Sequence, residues 1–127
     1  MTIVLQRIYE DNSQLKGHRV LIDRVWPRGI SKDEANLDEW MKDIAPSPSL
    51  RKWFNHDPQK FTEFTQAYQA EIKQDNEKQK KLNELIELAA KKKVILLYGA
   101  KDERHNHAVV LKELLHERRH DGQKTSR

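Results

Sequence analysis

The sequence predicts an α/β domain with a small, open and mostly parallel sheet of about three strands, flanked by helices in Rossmann-like layers. Three short runs rich in aliphatic and β-branched residues, at positions 3–9, 19–26 and 94–98, have the composition of strands. The second run begins with the continuous apolar stretch Val20-Leu21-Ile22, which is typical of a parallel strand buried on both faces. Helical spacing fills the long interval before the third run, and helical crossovers connect parallel strands.

The first predicted helix begins at Ser31. Ser31 and Glu34 have the spacing of a capping box, in which each side chain bonds the backbone N–H of the other residue. Four apolar residues then follow at the i, i+3, i+4 and i+7 positions of one helix face, namely Leu37, Trp40, Met41 and Ile44. We therefore expect one helix that ends at Ala45-Pro46 and places Trp40 in the core.

The next helices are predicted from start signals that contain proline. Ser47-Pro48 opens a short helix and Asp57-Pro58 opens a longer one, since proline suits the first helical position. The buried side of the short helix is expected to carry Leu50, Trp53 and Phe54. A polar stretch at 74–81 predicts either two helices or one bent helix in the segment that follows. The apolar positions on its two sides are Phe61, Phe64, Tyr68 and Ile72, then Leu82, Leu85, Ile86 and Ala89.

The chain ends in one more predicted helix. Asp102 is its expected N-cap, and Ala108, Leu111 and Leu115 mark its inner face. We expect a single α/β domain at 1–117, because 127 residues suffice for one hydrophobic core. Positions 118–127 are predicted to form a polar, flexible tail.

Composition restricts the classes of function. Cysteine is absent, which excludes disulfides, thiolate nucleophiles and cysteine metal sites and favours a reducing compartment. No apolar stretch approaches the roughly 20 residues that cross a bilayer. The apolar start is broken at Gln6, so no signal peptide is expected. We therefore expect a cytoplasmic protein with no membrane partner.

The net charge of +4 raises the question of a nucleic-acid partner. The 24 lysines and arginines are spread among 20 acidic residues, which describes a mixed, solvated surface rather than a basic stripe. Nucleic-acid binding is therefore an alternative and is not favoured. The oligomeric state is not predicted.

Charged residues follow two of the predicted strands. Open parallel sheets bind ligands beyond the carboxyl ends of their strands, where loops and helix N-termini converge. If these two strands are parallel neighbours, the two segments meet and gather carboxylates, arginines, a lysine and a histidine around one helix N-terminus. The candidate residues are Asp23, Arg24, Trp26 and Arg28 after the second strand, and Lys101, Asp102, His105 and Asn106 after the third.

A long motif adds a family resemblance. The stretch Val20-Leu21-Ile22-Asp23-Arg24-Val25-Trp26-Pro27-Arg28-Gly29-Ile30 resembles the hallmark of the YeaO-like branch of the domain of unknown function 488 family. Further matching segments run in order from about Ile3 to Leu115. They are Ala45-Pro46-Ser47, Leu50-Arg51-Lys52-Trp53-Phe54, His56-Asp57-Pro58 and the block at 98–111. The resemblance implies an α/β fold and no settled activity.

One departure from longer relatives concerns catalysis. Those relatives tend to have cysteines at the places that Tyr98 and Asn106 hold in this sequence. The resemblance therefore carries no thiol-dependent chemistry to this chain.

Each candidate in the first segment has a structural alternative. Asp23 is either a catalytic proton carrier or a structural residue, in an ion pair with Arg24 or as a cap for a neighbouring loop. A charge in an apolar strand is costly to bury, which favours a specific role without saying which one. Arg24 and Arg28 suit phosphate or carboxylate with their forked donors, and Arg28 is equally well an exposed turn residue. Trp26 is core or lines the mouth of a pocket.

The other candidates are weighed in the same way. His56 is a candidate ligand contact, whereas its neighbour Asp57 is expected to serve as an N-cap. Lys101 can neutralise an anion, and Asp102 is expected to cap the last helix. His105 is the candidate acid–base residue of the last block, although a histidine in a first helical turn is often a surface residue.

Neither a metal nor a cofactor is expected. His105 and His107 are two positions apart and point to nearly opposite sides of a helix. His116 and His120 are four positions apart and could share an ion, but they lie in or next to the fraying end of the chain. The sequence contains no HExxH, P-loop, GxGxxG or GxSxG pattern.

The favoured hypothesis is a small enzyme or ligand-binding domain for an anionic small molecule, either a phosphate or a carboxylate. Asp23 and His105 would be the proton carriers, and Arg24, Arg28 and Lys101 would supply positive charge. The alternatives are a non-catalytic nucleic-acid or protein-interaction module, and a charged cluster that only stabilises the fold.

Overall fold

A computed structural model describes residues 2–10 and 16–125, with side chains described as far as residue 118. Its sheet has four strands, β1 (Ile3–Arg7), β2 (His18–Leu21), β3 (Glu39–Trp40) and β4 (Val94–Tyr98), in the order β1-β4-β2-β3. All three pairings are parallel. The predicted α/β class with an open parallel sheet is confirmed, and a short fourth strand is added to the three expected.

Five α-helices are described, and most begin at the predicted caps. They are α1 (Lys32–Ala35), α2 (Pro48–Phe54), α3 (Phe61–Gln74), α4 (Asn76–Lys91) and α5 (His107–Thr125), with 3-10 turns at Lys42–Ile44 and Pro58–Lys60. Ser31 forms the capping box with Glu34, and the Ser47 and Asp57 side chains accept N–H bonds as expected. The polar stretch divides two helices at Asp75, whose carboxylate caps α4.

The sheet is covered on both faces, which explains why β4 is buried along its whole length. On one face Val94, Leu96 and Tyr98 join the main core with α3, α4 and α5. On the other face Ile95 and Leu97 pack in a smaller cluster with Ile8, Leu21 and Ala35. Alternate strand residues therefore belong to different cores.

The predicted helix from Ser31 to Ile44 is wrong beyond Ala35. Asn36 adopts a left-handed conformation with φ 47° and ends α1 after four residues. The chain then runs beside β2, where the Asp38 carboxylate accepts the Arg19 backbone N–H at 2.8 Å. The buried Arg19 guanidinium donates to the carbonyls of Asn36 and Ala35 at 2.9 Å each. These bonds hold the segment in an extended path that becomes β3.

The apolar residues from Leu37 to Ile44 have helical spacing although they do not form one helix face. Met41 and Ile44 are buried in the main core, whereas Leu37 packs in the smaller cluster on the opposite face of the sheet. Trp40 is 38% exposed, so its placement in the core is wrong. Its indole N–H instead donates to the Asp23 carbonyl at 2.7 Å.

Three smaller expectations are also corrected. The strand expected at 19–26 ends at Leu21, and the chain turns into a loop after Ile22, whose N–H still donates to the Leu97 carbonyl at 3.1 Å. Trp53 is 41% exposed and lies beneath the Lys60 ammonium, 5.1 Å from the ring centroid, rather than on the buried side of α2. The α5 cap is Asn106, whose Oδ1 accepts the Val109 N–H, and not Asp102.

Two further observations concern the length of the last helix and the possibility of a membrane span. The backbone of α5 extends to Thr125, and the side chains beyond residue 118 lie outside the described part, so the flexible tail at 118–127 stays a prediction. Within residues 2–10 and 16–125, no helix combines the length and apolar character needed to traverse a lipid bilayer.

Candidate functional site

A cavity of about 400 Å³ opens beyond the carboxyl ends of β2 and β4. These strands are hydrogen-bonded parallel neighbours, so the segments that follow them meet at one edge of the sheet. The turn after β3 and helix α2 form the opposite wall. The lining side chains that bear polar or charged groups are Asp23, Arg24, Arg51, Lys52, Asn55, His56, Asn106 and His107.

Asp23 lies at the base of this arrangement. Its Oδ2 atom accepts the Gly99 backbone N–H at 2.9 Å, which ties the β2 and β4 segments together. Its Oδ1 atom is fully buried, makes no hydrogen bond, and lies 3.3 Å from the His107 Nε2 atom. A buried carboxylate oxygen with no partner is costly unless a positive or proton-bearing group faces it. His107 is that group.

His107 is the first residue of α5 and was not among the predicted site residues. Its Nε2 atom lies 2.9 Å from the Ile22 carbonyl oxygen. A carbonyl only accepts, so the His107 Nε2 atom carries a hydrogen in this contact. The ring also packs edge-on against Tyr68. The sequence places His107 directly after the predicted candidates, and the start of α5 at that position was the missing signal.

Arg24 is held by the wall rather than by Asp23. Its Nε atom donates to the Pro46 carbonyl at 3.3 Å and its Nη2 atom to the Ala45 carbonyl at 3.4 Å. The Ala45 oxygen also accepts from the buried Lys78 ammonium at 2.7 Å. Burial lowers the pKa of Lys78, and the nearby Arg24 charge lowers it further. Two cations therefore fix the backbone that forms this side of the cavity.

Side chains of α3 hold the same turn in place. The buried Tyr68 hydroxyl donates to the Ile44 carbonyl at 2.6 Å, and burial raises the pKa of this phenol. The Ser47 backbone N–H and hydroxyl both bond the Glu71 carboxylate, which fixes the start of α2 against α3. Helix α2 is thereby positioned to present its basic residues.

Positive charge in the cavity exceeds negative charge. Arg51 and Lys52 are exposed on α2, and together with Arg24 they have no carboxylate oxygen within 4 Å among the residues described. His56 follows them at the end of α2 in a left-handed conformation with φ 56°. Non-glycine residues adopt this conformation at a cost of about 1–2 kcal/mol.

Four of the nine predicted site residues line the cavity, namely Asp23, Arg24, His56 and Asn106. Asn106 is 2% exposed; its amide donates to the Asp102 carbonyl at 2.8 Å and its Oδ1 atom caps α5. The basic residues Arg51 and Lys52 line it as well. They stand in a matching motif of the family, and only the packing of α2 places them here.

Three predicted residues lie elsewhere. Trp26 packs edge-on against Trp40, 5.3 Å between centroids, in the cluster on the other face of the sheet, and its indole donates to the Ile30 carbonyl. Arg28 and Lys101 are exposed and do not line the cavity. The Arg28 carbonyl accepts the Tyr9 hydroxyl at 3.0 Å.

Asp102 and His105 form a pair of their own, outside the cavity lining. The Asp102 Oδ1 atom accepts the backbone N–H groups of Arg104 and His105, and its Oδ2 atom lies 2.9 Å from the His105 Nδ1 atom. These bonds, led by that of Arg104, hold the pKa of Asp102 below its usual range. The His105 ring rests edge-on against Phe61, 5.2 Å between centroids.

Metal binding has no geometric support in the part of the chain that the structure describes. No group of three histidine or acidic side chains there is close enough to hold an ion.

Similarity to known proteins shows the family to which the chain belongs. A family model described as the inactive DUF488-N3 subclade matches residues 2–127. The chain belongs to this subclade. The chain is also 42% identical to the uncharacterized protein YeaO of Escherichia coli K12 over 115 residues. That match covers 91% of this chain and 97% of YeaO. Together the two matches confirm the YeaO-like resemblance of the sequence.

Mycobacterial proteins are related to this DUF488-N3 chain at a similar level. The uncharacterized protein Rv3073c of Mycobacterium tuberculosis H37Rv is 40% identical over 112 residues, which is 88% of this chain and 92% of the relative. The uncharacterized protein Mb3100c of Mycobacterium bovis matches to the same extent. No solved structure matches the chain.

Proposed function

We propose that this DUF488-N3 domain binds an anionic small molecule in the cavity between α2 and the start of α5, without converting it. The observation that carries the proposal is the set of three lining cations, Arg24, Arg51 and Lys52, which have no carboxylate within 4 Å among the described residues. Such a set recognises phosphate or carboxylate, and arginine does so with two parallel N–H donors.

The backbone adds to this charge. Helix α5 has 19 residues and begins at His107, inside the cavity lining. The N-terminus of a helix carries a partial positive charge and favours an anion. Asp23 is the one acidic residue in the lining, and the Gly99 N–H and His107 already face its two oxygens. The net field therefore favours a negatively charged ligand.

Binding without conversion is favoured by the family and by two positions. The matching family model is described as inactive. The resemblance to longer relatives implies that Tyr98 and Asn106 stand where those proteins tend to have cysteines. The Asn106 amide is committed to the cap of α5 and to the Asp102 carbonyl, so it offers neither a nucleophile nor a titratable proton.

The size of the cavity fits a small molecule. Pockets for small molecules and cofactors span about 300–1,000 Å³, and this one measures about 400 Å³. Its remaining walls are apolar and include Pro46, Phe54 and Phe64. They suit a ligand with a carbon skeleton attached to its anionic group.

The proposal is tested with a panel of phosphates, nucleotides and organic acids in thermal-shift assays, followed by titration calorimetry of the compounds that bind. We expect Arg51→Ala to weaken binding about tenfold or more, because a charge-assisted hydrogen bond is lost. Arg28→Ala is the matched control, since Arg28 is an exposed arginine outside the cavity lining. Equal weakening by both variants, or no bound compound, overturns the proposal.

A nucleic-acid ligand is a separate outcome of the same work. It would show as binding to RNA or DNA whose affinity falls steeply with salt. Binding of that kind, unaffected by Arg51→Ala, would replace the small-molecule proposal.

A further inference from the structure

The Arg24 guanidinium uses one of its edges to hold the wall of the cavity. Its Nε and Nη2 atoms donate to the Pro46 and Ala45 carbonyls, and these two donors lie on the same edge of the planar group. The edge between Nη1 and Nη2 makes no hydrogen bond to a described residue. Among the described residues, the Asp23 Oδ1 atom is the one fully buried side-chain polar atom without a hydrogen bond, so Arg24 Nη1 keeps contact with solvent.

The free edge of Arg24 is a fork of two parallel N–H donors on a group that is charged at every physiological pH. Such a fork matches two oxygens bonded to one atom. The two carbonyls of the wall already hold the other edge, and Arg24 is half-buried. Arg51 and Lys52 are exposed on α2 and have to be ordered by a ligand. Arg24 is therefore the fixed cation of the cavity.

A second cation stands behind the same wall. The Lys78 ammonium donates to the Ala45 carbonyl at 2.7 Å and to the Asp43 carbonyl at 3.0 Å. Lys78 is 5% exposed and has no carboxylate oxygen within 4 Å among the described residues. An anion on the Arg24 fork would offset part of the positive charge of both side chains. A head group with two negative charges gains more from this than a head group with one.

The number of oxygens restricts the ligand further. A carboxylate has two oxygens and a phosphate diester has two terminal oxygens, and the Arg24 fork takes both. A phosphate monoester has a third terminal oxygen, which can meet Arg51 and Lys52, and near neutral pH it carries most of a second negative charge. The apolar walls, which include Pro46, Phe54 and Phe64, suit the carbon skeleton of such an ester.

We propose that this cavity selects phosphate monoesters and that Arg24 determines the selection as the bidentate contact for two of the three terminal oxygens. The inference rests on the proposed function and adds to it the ligand class and the residue that recognises it.

The test of the ligand class uses titration calorimetry at about pH 8 and constant ionic strength. The probes are phenyl phosphate, its diester methyl phenyl phosphate, benzoate and inorganic phosphate. At that pH phosphate monoesters have passed their second pKa of about 6, whereas the diester and benzoate carry one charge. We expect phenyl phosphate to bind about tenfold or more tightly than the diester and benzoate, because one charge-assisted hydrogen bond is added. Inorganic phosphate should bind more weakly than phenyl phosphate, since it lacks the skeleton.

Arg24→Lys tests the fork, because it keeps the charge and removes the paired donors. The same substitution at the exposed Arg51 is the comparison. We expect phenyl phosphate to bind about tenfold or more weakly to Arg24→Lys and to lose about threefold or less in Arg51→Lys. Thermal unfolding verifies that both variants are folded.

A rescue experiment separates the fork from the contact of Arg24 with the wall. Millimolar guanidinium is expected to restore phenyl phosphate binding to Arg24→Ala, and methylammonium at the same concentration is not. Guanidinium supplies paired donors, whereas methylammonium supplies only a charge that can also reach the carbonyls of the wall. Rescue by both cations, or by neither, overturns recognition through the fork.

Each remaining outcome decides one of the two proposals. Equal losses in Arg24→Lys and Arg51→Lys overturn the role of Arg24 and leave the anion site intact. Diester or benzoate binding as tight as that of phenyl phosphate overturns the monoester class, and equally tight inorganic phosphate assigns the site to the free ion instead of an ester. Binding of no anion at all by the wild type overturns the proposed function itself.

Discussion

The Asp23 Oδ2 atom accepts a hydrogen bond of 2.9 Å from the backbone N–H of Gly99, which joins the segments that follow β2 and β4. A Cβ atom at Gly99 would lie 3.1 Å from the same oxygen. The closeness of the carboxylate to the backbone therefore explains why glycine suits this position, where φ is not in the left-handed region.

Gly99→Ala is expected to destabilise the fold by about 1 kcal/mol, since the carboxylate must shift away from the added methyl group. The cost should fall to nearly zero in an Asp23→Ala background, where the oxygen is missing. Urea unfolding of the wild type, the two single variants and the double variant measures this coupling. Simple additivity of the two costs would contradict the contact.

Lys78→Met is expected to destabilise the protein by about 2 kcal/mol, because the carbonyls of Asp43 and Ala45 lose a charged donor in a buried place. Lys80→Met is the matched control, since Lys80 is exposed on the same helix and should change stability by less than about 0.5 kcal/mol. Equal effects of the two variants in urea unfolding would count against this role of Lys78.

His56→Gly is expected to raise stability by about 0.5–1 kcal/mol, because glycine adopts the left-handed conformation without strain and loses part of the gain to chain entropy. Asn55→Gly, at φ 47°, should gain less, since asparagine tolerates this conformation better. Thermal unfolding compares the two. A lower melting temperature for His56→Gly would mean that the imidazole makes stabilising contacts that outweigh the strain.

Asp102→Asn tests the pH dependence of stability. The pKa of Asp102 is lowered in the folded state from an ordinary value of 3.8, chiefly by the Arg104 backbone N–H and then by His105. The unfolded state binds the proton more readily, so the carboxylate stabilises the fold above pH 3.8 and loses this contribution as pH falls through the lowered pKa.

Wild-type protein should therefore be more stable than Asp102→Asn near neutral pH, with a difference that shrinks below pH 3.8. Urea unfolding of both proteins over a series of pH values gives the two curves. A constant difference across the acid range would show that titration of Asp102 contributes nothing.

Local signals in the sequence predicted much of the fold. Ser31, Ser47 and Asp57 cap the elements at which they were expected, because N-capping depends on a few neighbouring residues. The prediction of a helix through Trp40 was wrong because the apolar residues at helical spacing do not share one face of a helix. Leu37 and Met41 face two different cores, and the bonds between Arg19 and the chain around Asp38 are long-range contacts that no local pattern contains.

Only part of the site could be predicted, because the rest depends on long-range packing. The rule that ligands gather at the carboxyl ends of parallel strands placed Asp23, Arg24 and Asn106 together. It could not place Arg51 and Lys52, because the position of α2 depends on Ser47 bonding Glu71 of α3. His107 was missed because the exact first residue of α5 decides which histidine lines the cavity. The helix begins at His107, after the Asn106 cap, and the sequence pattern had placed the cap at Asp102.

The outer strand β3 contains two residues, and Glu39 and Trp40 are all that it adds to the sheet. A border this short exposes very few free backbone groups in register, so a foreign chain has almost no template to extend. The opposite border, formed by the five residues of β1, is the longer template on which another copy could add a strand.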